Sequence, residues 1–278
     1  MLFAAIKNLF DIDNVGNRWG VRFLYMFTVI LNAAIHFNPW ADTDFTPLMS
    51  WTSEVYGLTE YDTEKYEALL SAVPLSTGNI IYLATLLLGY FILLASALIY
   101  AGVFVREFRK ERLSSDNTDE AKVINYAVNH IPDQPIKPIK LVLRVLLLLL
   151  IAVLFSFPIL FTVSYFALLL VIGLPFIFTA PVAYLSGDTG FFKSFPHAAK
   201  LSVRYYFIIL RSMSLIFIVA VILSFAVPLL QYVSVTAYYI VHAAVTTWLW
   251  LSFARLAGVS YCTMKEFPLK GNKRPYAI

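Results

Sequence analysis

A chain of 278 residues that is 60% hydrophobic and only 14% charged is too apolar for a soluble domain, whose charged fraction is typically about 25%. Its 21 lysines and arginines against 17 acidic residues give a net charge of +4. The cations flank apolar runs and form no nucleic-acid-binding motif, so their partner is anionic lipid and not nucleic acid. The single cysteine, Cys262, excludes an intrachain disulfide.

At the amino terminus, Leu2, Phe3, Ala5, Ile6, Leu9 and Phe10 are interrupted by Lys7 and followed by Asp11 and Asp13. No small-residue cleavage site follows, so the stretch reads as a short amphipathic helix on the inner leaflet and not as a signal peptide. Four uncharged apolar runs come next: Phe23–Phe37, Ile80–Val105, Val145–Ser186 and Ser212–Ala254. The last two are each about twice the ~20 residues that cross a ~30 Å hydrocarbon core, which predicts helical hairpins. The expected fold is therefore a single all-α integral membrane domain over 1–278, with six transmembrane helices near 20–38, 80–105, 141–158, 164–186, 212–231 and 235–258. An acidic segment, 39–79, lies outside, and the segments 106–140 and 187–211 lie in the cytoplasm with both termini.

The cation distribution sets that orientation, because lysine and arginine favour the cytoplasmic side while acidic residues contribute little. Twenty cations and ten carboxylates fall inside, a balance of +10, whereas Lys65 and seven carboxylates fall outside, a balance of −6.

In span one, Thr28, Asn32 and His36 at i, i+4 and i+8 line one helix face. His242 and Thr246 form a similar pair in span six. Two histidines without a carboxylate or thiolate form a poor metal set, so these five are read as interhelical hydrogen-bonding groups. In the outer segment Pro47 suits a first helical turn, Thr59 and Asp62 have capping-box spacing, and Tyr66, Leu69, Leu70 and Val73 recur at helical spacing before Pro74. They predict a short helix over the outer mouth of the bundle. Span two continues into the cytoplasm through Arg106–Arg112 and ends near Ser114–Asn117, and the prolines of Ile131–Pro138 make a stiff connector to span three. Arg22, Arg144 and Arg255 lie at inner span ends, where snorkelling is expected. Gly173, Pro175 and Pro181 predict kinks in span four.

Ser186–Gly190 contains glycine but lacks the Gly-Lys-Ser/Thr ending of a phosphate loop and reads as a turn. After it, Lys193, His197, Lys200, Arg204 and Arg211 recur every 4, 3, 4 and 7 residues and share one helical stripe, with Pro196 placed to begin the helix. Phe191, Phe192, Phe195, Leu201, Val203, Tyr205 and Tyr206 give the same helix an apolar side. The stripe is the expected anionic-lipid or protein interface, with headgroup anchoring favoured. Pro158–Ser164 and Pro228–Ser234 both fall at expected outer turns and resemble each other weakly, a pattern that chance in a Leu/Val-rich chain explains as well as duplication.

No Asp or Glu lies in the uncharged runs, which disfavours proton- or sodium-coupled transport. Metalloprotease, paired-aspartate and nucleophile-elbow motifs are missing as well, so no catalytic, cofactor or metal site is expected.

From about Leu146 to Ala254, the proline-bent span with Pro175 and Pro181, the Gly187–Gly190 turn, Phe192-Lys193-Ser194 and Lys200-Leu201-Ser202 leading through Arg204 resemble bacterial polytopic membrane proteins of unknown function. That group is related to the membrane region attached to some glycerophosphodiester phosphodiesterases. The resemblance implies an architecture and, without the catalytic barrel, no activity. The expected protein is a non-catalytic accessory or scaffold subunit of a bacterial-type plasma membrane that binds anionic lipid and a protein partner. The runner-up is a permease-like subunit of an ATP-driven transporter for a small molecule or lipid. A membrane-embedded lipid enzyme has least support, since no nucleophile–base pair can be named.

Overall fold

The computed structural model describes residues 10–57, 67, 69, 71, 73–115 and 135–266, with side chains at all of these except 112–115, 155–172 and 266. Among the described residues every regular element is helical. Helix α1 spans Arg18–His36 and is capped by Asn17, whose Oδ1 accepts from the Gly20 amide at 3.0 Å. Helix α2, Thr46–Tyr56, carries Pro47 in its first turn as the sequence predicts. The Thr59/Asp62 capping box, Tyr66 and Leu70 lie outside the described residues.

Helix α3, Thr77–Ser115, has 39 residues and a length of about 58 Å, well beyond a ~30 Å core. It starts on a reciprocal cap in which the Ser76 amide donates to Asn79 Oδ1 at 3.1 Å and the Asn79 amide donates to Ser76 Oγ at 3.0 Å. The buried Asn79 amide group also donates to the Asp42 and Asp44 carbonyls, fastening the acidic segment to this helix end.

Helix α4 is assigned over Pro138–Leu185 without a break, 48 residues that would reach about 72 Å if straight. Its two ends nevertheless meet. The Arg144 guanidinium donates to the Tyr184 carbonyl and lies 4.6 Å over the Tyr184 ring, and Ile136 lies against Gly187. The segment therefore doubles back between 145 and 183, as the length of its apolar run requires. The expected open turn at 158–164 is corrected: the backbone there keeps helical geometry, so the reversal is a bend between two helical arms.

After Gly187, whose φ of +91° suits glycine, come α5 (Phe191–Ser202), a 3₁₀ turn (Val203–Tyr205) and α6 (Tyr206–Ala226). Helix α5 begins five residues before Pro196, which sits inside it and does not start it as the sequence suggested. The helix starts directly after extended Gly190. Only the donor lost at Pro196 is affected, and its would-be acceptor belongs to Phe192, a residue 90% exposed. A 3₁₀ stretch, Val227–Tyr232, turns the chain into α7, Val235–Glu266, at the expected Pro228–Ser234 reversal.

Helix α7 is central and packs against α1, α3, α4, α5 and α6. Its Leu251, Ala254, Ala257 and Tyr261 meet Tyr100, Ala101, Phe104 and Val105 of α3 and Val182, Ala183 and Leu185 of α4 in one buried cluster. A second cluster joins its Leu256 and Met264 to Tyr205, Ile209, Met213 and Ile216. Small residues let the axes approach, since a Cβ at Gly258 would lie 2.6 Å from the Phe104 ring and one at Gly102 would lie 2.4 Å from Leu141 Cδ1.

Among the described residues, four helical stretches are long and apolar enough to cross a membrane: Arg18–His36, Thr77–Glu111, Phe191–Tyr232 and Val235–Lys265. Gly173–Leu185 is a shorter apolar one. Phe23, Ile30, Leu88, Leu146, Leu150 and Phe217 are exposed around the bundle, far more apolar surface than water tolerates and the surface that lipid tails cover. Trp19 and Phe192 at one end and Trp40 and Tyr232 at the other are 75–90% exposed, in keeping with aromatic belts at two membrane surfaces. This chain is a membrane-type helical bundle.

Candidate functional site

The end of the bundle that holds Arg109 is organised by a residue in the Gly187–Gly190 turn. Asp188 Oδ2 receives Arg109 Nη2 at 2.7 Å, Lys265 Nζ at 2.8 Å, the Tyr261 hydroxyl at 2.5 Å and Ser186 Oγ at 2.9 Å. Arg109 Nη1 also donates to the Ser186 carbonyl at 2.8 Å. One carboxylate thus ties α3, the α4–α5 turn and α7 together. Burial alone would raise the Asp188 carboxyl, but the Lys265 ammonium, the Tyr261 hydroxyl and the Arg109 guanidinium outweigh it and hold the group well below the usual carboxylate range. A carboxylate with so little affinity for a proton is a clamp and a poor general base.

The turn fixed by Asp188 delivers α5. Ser194, Ala198 and Ser202, followed by Tyr205 and Ile209, are buried at spacings of 4, 4, 3 and 4, so one face docks on the bundle. Ser202 Oγ is 3.0 Å from Thr179 Oγ1 of α4. Lys193, Lys200, Arg204 and Arg211 are exposed, and beside them stand exposed Phe192, Phe195 and Phe207. The stripe expected from the sequence is present with one correction. His197 turns toward the bundle, its ring centroid 6.5 Å from that of Tyr261 and its Nε2 buried without a hydrogen-bond partner. Its position between the exposed and the buried face explains the difference, since residues 194 and 198 on either side of it are buried.

All three arginines assigned to snorkelling have protein partners. Arg255 is 2% exposed. It donates to the Asn14 carbonyl at 2.9 Å and lies 5.3 Å over the Phe104 ring, while the Tyr100 hydroxyl donates to the Ile12 carbonyl at 2.9 Å. The segment before α1 is thereby held at the Arg109 end. Arg144 closes the base of the α4 hairpin. Arg22, half exposed, pairs with Asp13 at 2.8 Å.

At the opposite end the intramembrane polar residues divide between two neighbours. Thr28 meets Ser96 of α3 at 2.7 Å, and buried Asn32 faces Gly89 of the same helix. His36 turns to α7 and stacks on Tyr239 at 4.9 Å, with His242 edge-on at 5.6 Å. The Nδ1 of His242 is buried without a hydrogen-bond partner. Thr246, one turn on, is half-buried. No group of three or more His, Cys, Asp or Glu side chains that could hold a metal occurs among the described residues. Thr28 thus bonds across to α3, while His36 meets α7 through ring contacts.

Sequence reasoning took the Ser186–Gly190 stretch as a turn and missed Asp188 and Tyr261 as members of a site. The available signal was three opposite or polar partners, Arg109, Asp188 and Lys265, all assigned to one membrane face. No protein-family model matches this chain, and no curated protein or solved structure matches it.

Proposed function

We propose that this protein is a six-span, non-catalytic component of a bacterial-type plasma membrane, with both termini in the cytoplasm. It acts as an accessory or scaffold subunit whose basic cytoplasmic helix binds anionic lipid and a protein partner. The observation that carries this reading is α5, which buries Ser194, Ala198 and Ser202 while exposing Lys193, Lys200 and Arg204 with Phe192 and Phe195. An aromatic and cationic face of this kind suits an anionic headgroup layer, where each lysine or arginine contributes about 1 kcal/mol. The six-span count is supported by the doubling back of α4. The orientation is supported by the gathering of Arg109, Lys265, Arg255 and the α5 cations at the end opposite Asp42 and Asp44.

The test is lipid retention. Purified protein exchanged into mixed micelles of phosphatidylglycerol and phosphatidylcholine should retain phosphatidylglycerol preferentially. K200E/R204E, which changes only exposed positions, should lower that retention by at least roughly tenfold, the loss expected when two such contacts reverse sign. Equal retention by wild type and variant removes the lipid-binding role.

The alternative, a permease-like subunit driven by a separate ATPase, draws on the same helix, because α5 packs against α4 and continues into α6 and would pass force to both. An ATPase that co-purifies with wild type from native membranes and is lost from K200E/R204E would replace the scaffold reading with this one.

A further inference from the structure

A second lipid-facing feature lies away from α5, between the segment before α1, α1 itself and α7. It is a cleft of about 490 Å³, within the ~300–1,000 Å³ range of small-molecule sites. Its polar rim is Asp11, Asp13 and Arg22, and its floor is Tyr25, Met26 and Trp248. Tyr25 and Trp248 are fixed in place. Trp248 Nε1 donates to the Phe10 carbonyl at 3.3 Å, the two rings stack at 4.8 Å, and the Tyr25 hydroxyl donates to the Ala244 carbonyl at 3.2 Å.

The residues beside the cleft have the character of a membrane interface. Arg22 lies 5.7 Å over the ring of Trp19, which is 80% exposed, as interfacial tryptophans are. Just beyond it on α1, Phe23 and Met26 are 72% and 59% exposed and face the region of acyl chains. A molecule with its polar part between Asp11, Asp13 and Arg22 could therefore continue along Met26 into the bilayer.

Charge selects among headgroups. Two carboxylates and one guanidinium give the rim a formal charge of −1, which opposes an anionic headgroup and suits a zwitterion. An ammonium carries N–H donors that carboxylates accept in charge-assisted hydrogen bonds, whereas a quaternary ammonium has none. The guanidinium is the natural partner of the phosphate. The geometry points to a specific site for a phospholipid with a primary-amine zwitterionic headgroup, phosphatidylethanolamine, its ammonium on the carboxylates of Asp11 and Asp13 and its phosphate on the terminal guanidinium nitrogens of Arg22, whose Nε donates to Asp13 Oδ2 at 2.8 Å. The site differs in place and in sign from the cationic face of α5, and its failure would leave the reading of α5 untouched.

The experiment uses the full-length protein in mild detergent, exposed to equimolar phosphatidylethanolamine, phosphatidylcholine and phosphatidylglycerol of matched chains, with bound lipids counted by native mass spectrometry. Wild type should retain phosphatidylethanolamine over phosphatidylcholine by roughly tenfold, the discrimination that a lost charge-assisted hydrogen bond brings. D11N/D13N should abolish that preference and raise phosphatidylglycerol, because the rim then carries a net positive charge. K200E/R204E should leave phosphatidylethanolamine retention as it was. Should D11N/D13N fail to purify, M26W fills the cleft without altering charge and should lower phosphatidylethanolamine alone. Equal retention of the ethanolamine and choline lipids by wild type, or an undiminished preference in either cleft variant, overturns the site. Displacement of the bound lipid by an equimolar amount of soluble phosphoethanolamine would also overturn it, since the acyl contacts along Met26 would then contribute nothing.

Discussion

D188A is expected to destabilise the protein by about 3 kcal/mol, near the lower end of the ~3–5 kcal/mol that follows removal of one partner from a buried ion pair. Arg109 and Lys265 are brought to Asp188 Oδ2 at 2.7 and 2.8 Å, with side chains only 9% and 26% exposed. Their charges would remain largely out of water with one close carboxylate fewer. The lower end of the range applies because Arg109 keeps its bond to the Ser186 carbonyl. The Tyr261 and Ser186 hydroxyls would lose an acceptor in the same step. Denaturant unfolding in micelles, followed by tryptophan fluorescence, measures the difference, and a change below about 1 kcal/mol would reduce this cluster to an ordinary surface ion pair.

The same carboxylate fixes the pH dependence. A carboxyl group held below its ordinary range contributes stability that is fully present above the unfolded-state value of 3.8 and is lost as pH falls through the folded-state value. The wild-type minus D188A difference should therefore stay constant from about pH 5 to pH 8 and narrow only in acid. A difference that shrank near neutrality would mean that Asp188 already takes up protons there.

G258V is expected to cost about 3 kcal/mol, and G258A somewhat less, within the range for overpacking a filled interior. The added Cβ would lie 2.6, 3.2 and 3.4 Å from three Phe104 ring carbons. That ring has little freedom to move, with the Arg255 guanidinium 5.3 Å from it on one contact and Phe108 stacked at 6.3 Å on another. The contact belongs to the α3–α7 interface, and in lipid such close packing is a principal source of helix association. F104L should therefore rescue G258A in part, because the smaller side chain vacates the clash. Strict additivity of the two changes would place the glycine's role elsewhere.

Those two sites mark the boundary of what was legible in the sequence. Local rules found Pro47 in the first turn of α2, the charged extension of α3 to Ser115 and the exposed stripe of Lys193, Lys200, Arg204 and Arg211, since each depends on neighbours within a few residues. Length alone implied that Val145–Ser186 folds back, and the meeting of Arg144 with Tyr184 agrees. The helical backbone across 158–164 was not legible, because a proline near an apolar midpoint marks a bend as readily as an open turn. Asp188 read as a turn residue because Ser-Gly-Asp-Thr-Gly has the same local chemistry whether its carboxylate meets water or two cations. Its partners lie 73 to 79 residues away in the chain for Tyr261 and Arg109, a pairing no periodicity encodes. Arg255 was misread for the same reason: proximity to a span end suggests snorkelling, while its carbonyl partner at Asn14 is 241 residues distant. His197 shows the limit of stripes, since one helical face grades into the next and only packing decides which way a borderline residue turns.

Sidedness underlies every surface role proposed for this chain, and two exposed positions at opposite ends of the bundle, Ser50 and Lys200, report it. Native Cys262 is 5% exposed and is a poor reporter on either side. S50C and K200C should each be treated in intact cells with a membrane-impermeant thiol reagent. S50C should be labelled at once, and K200C only after the membrane is permeabilised. Labelling of K200C with protection of S50C would contradict the proposed threading.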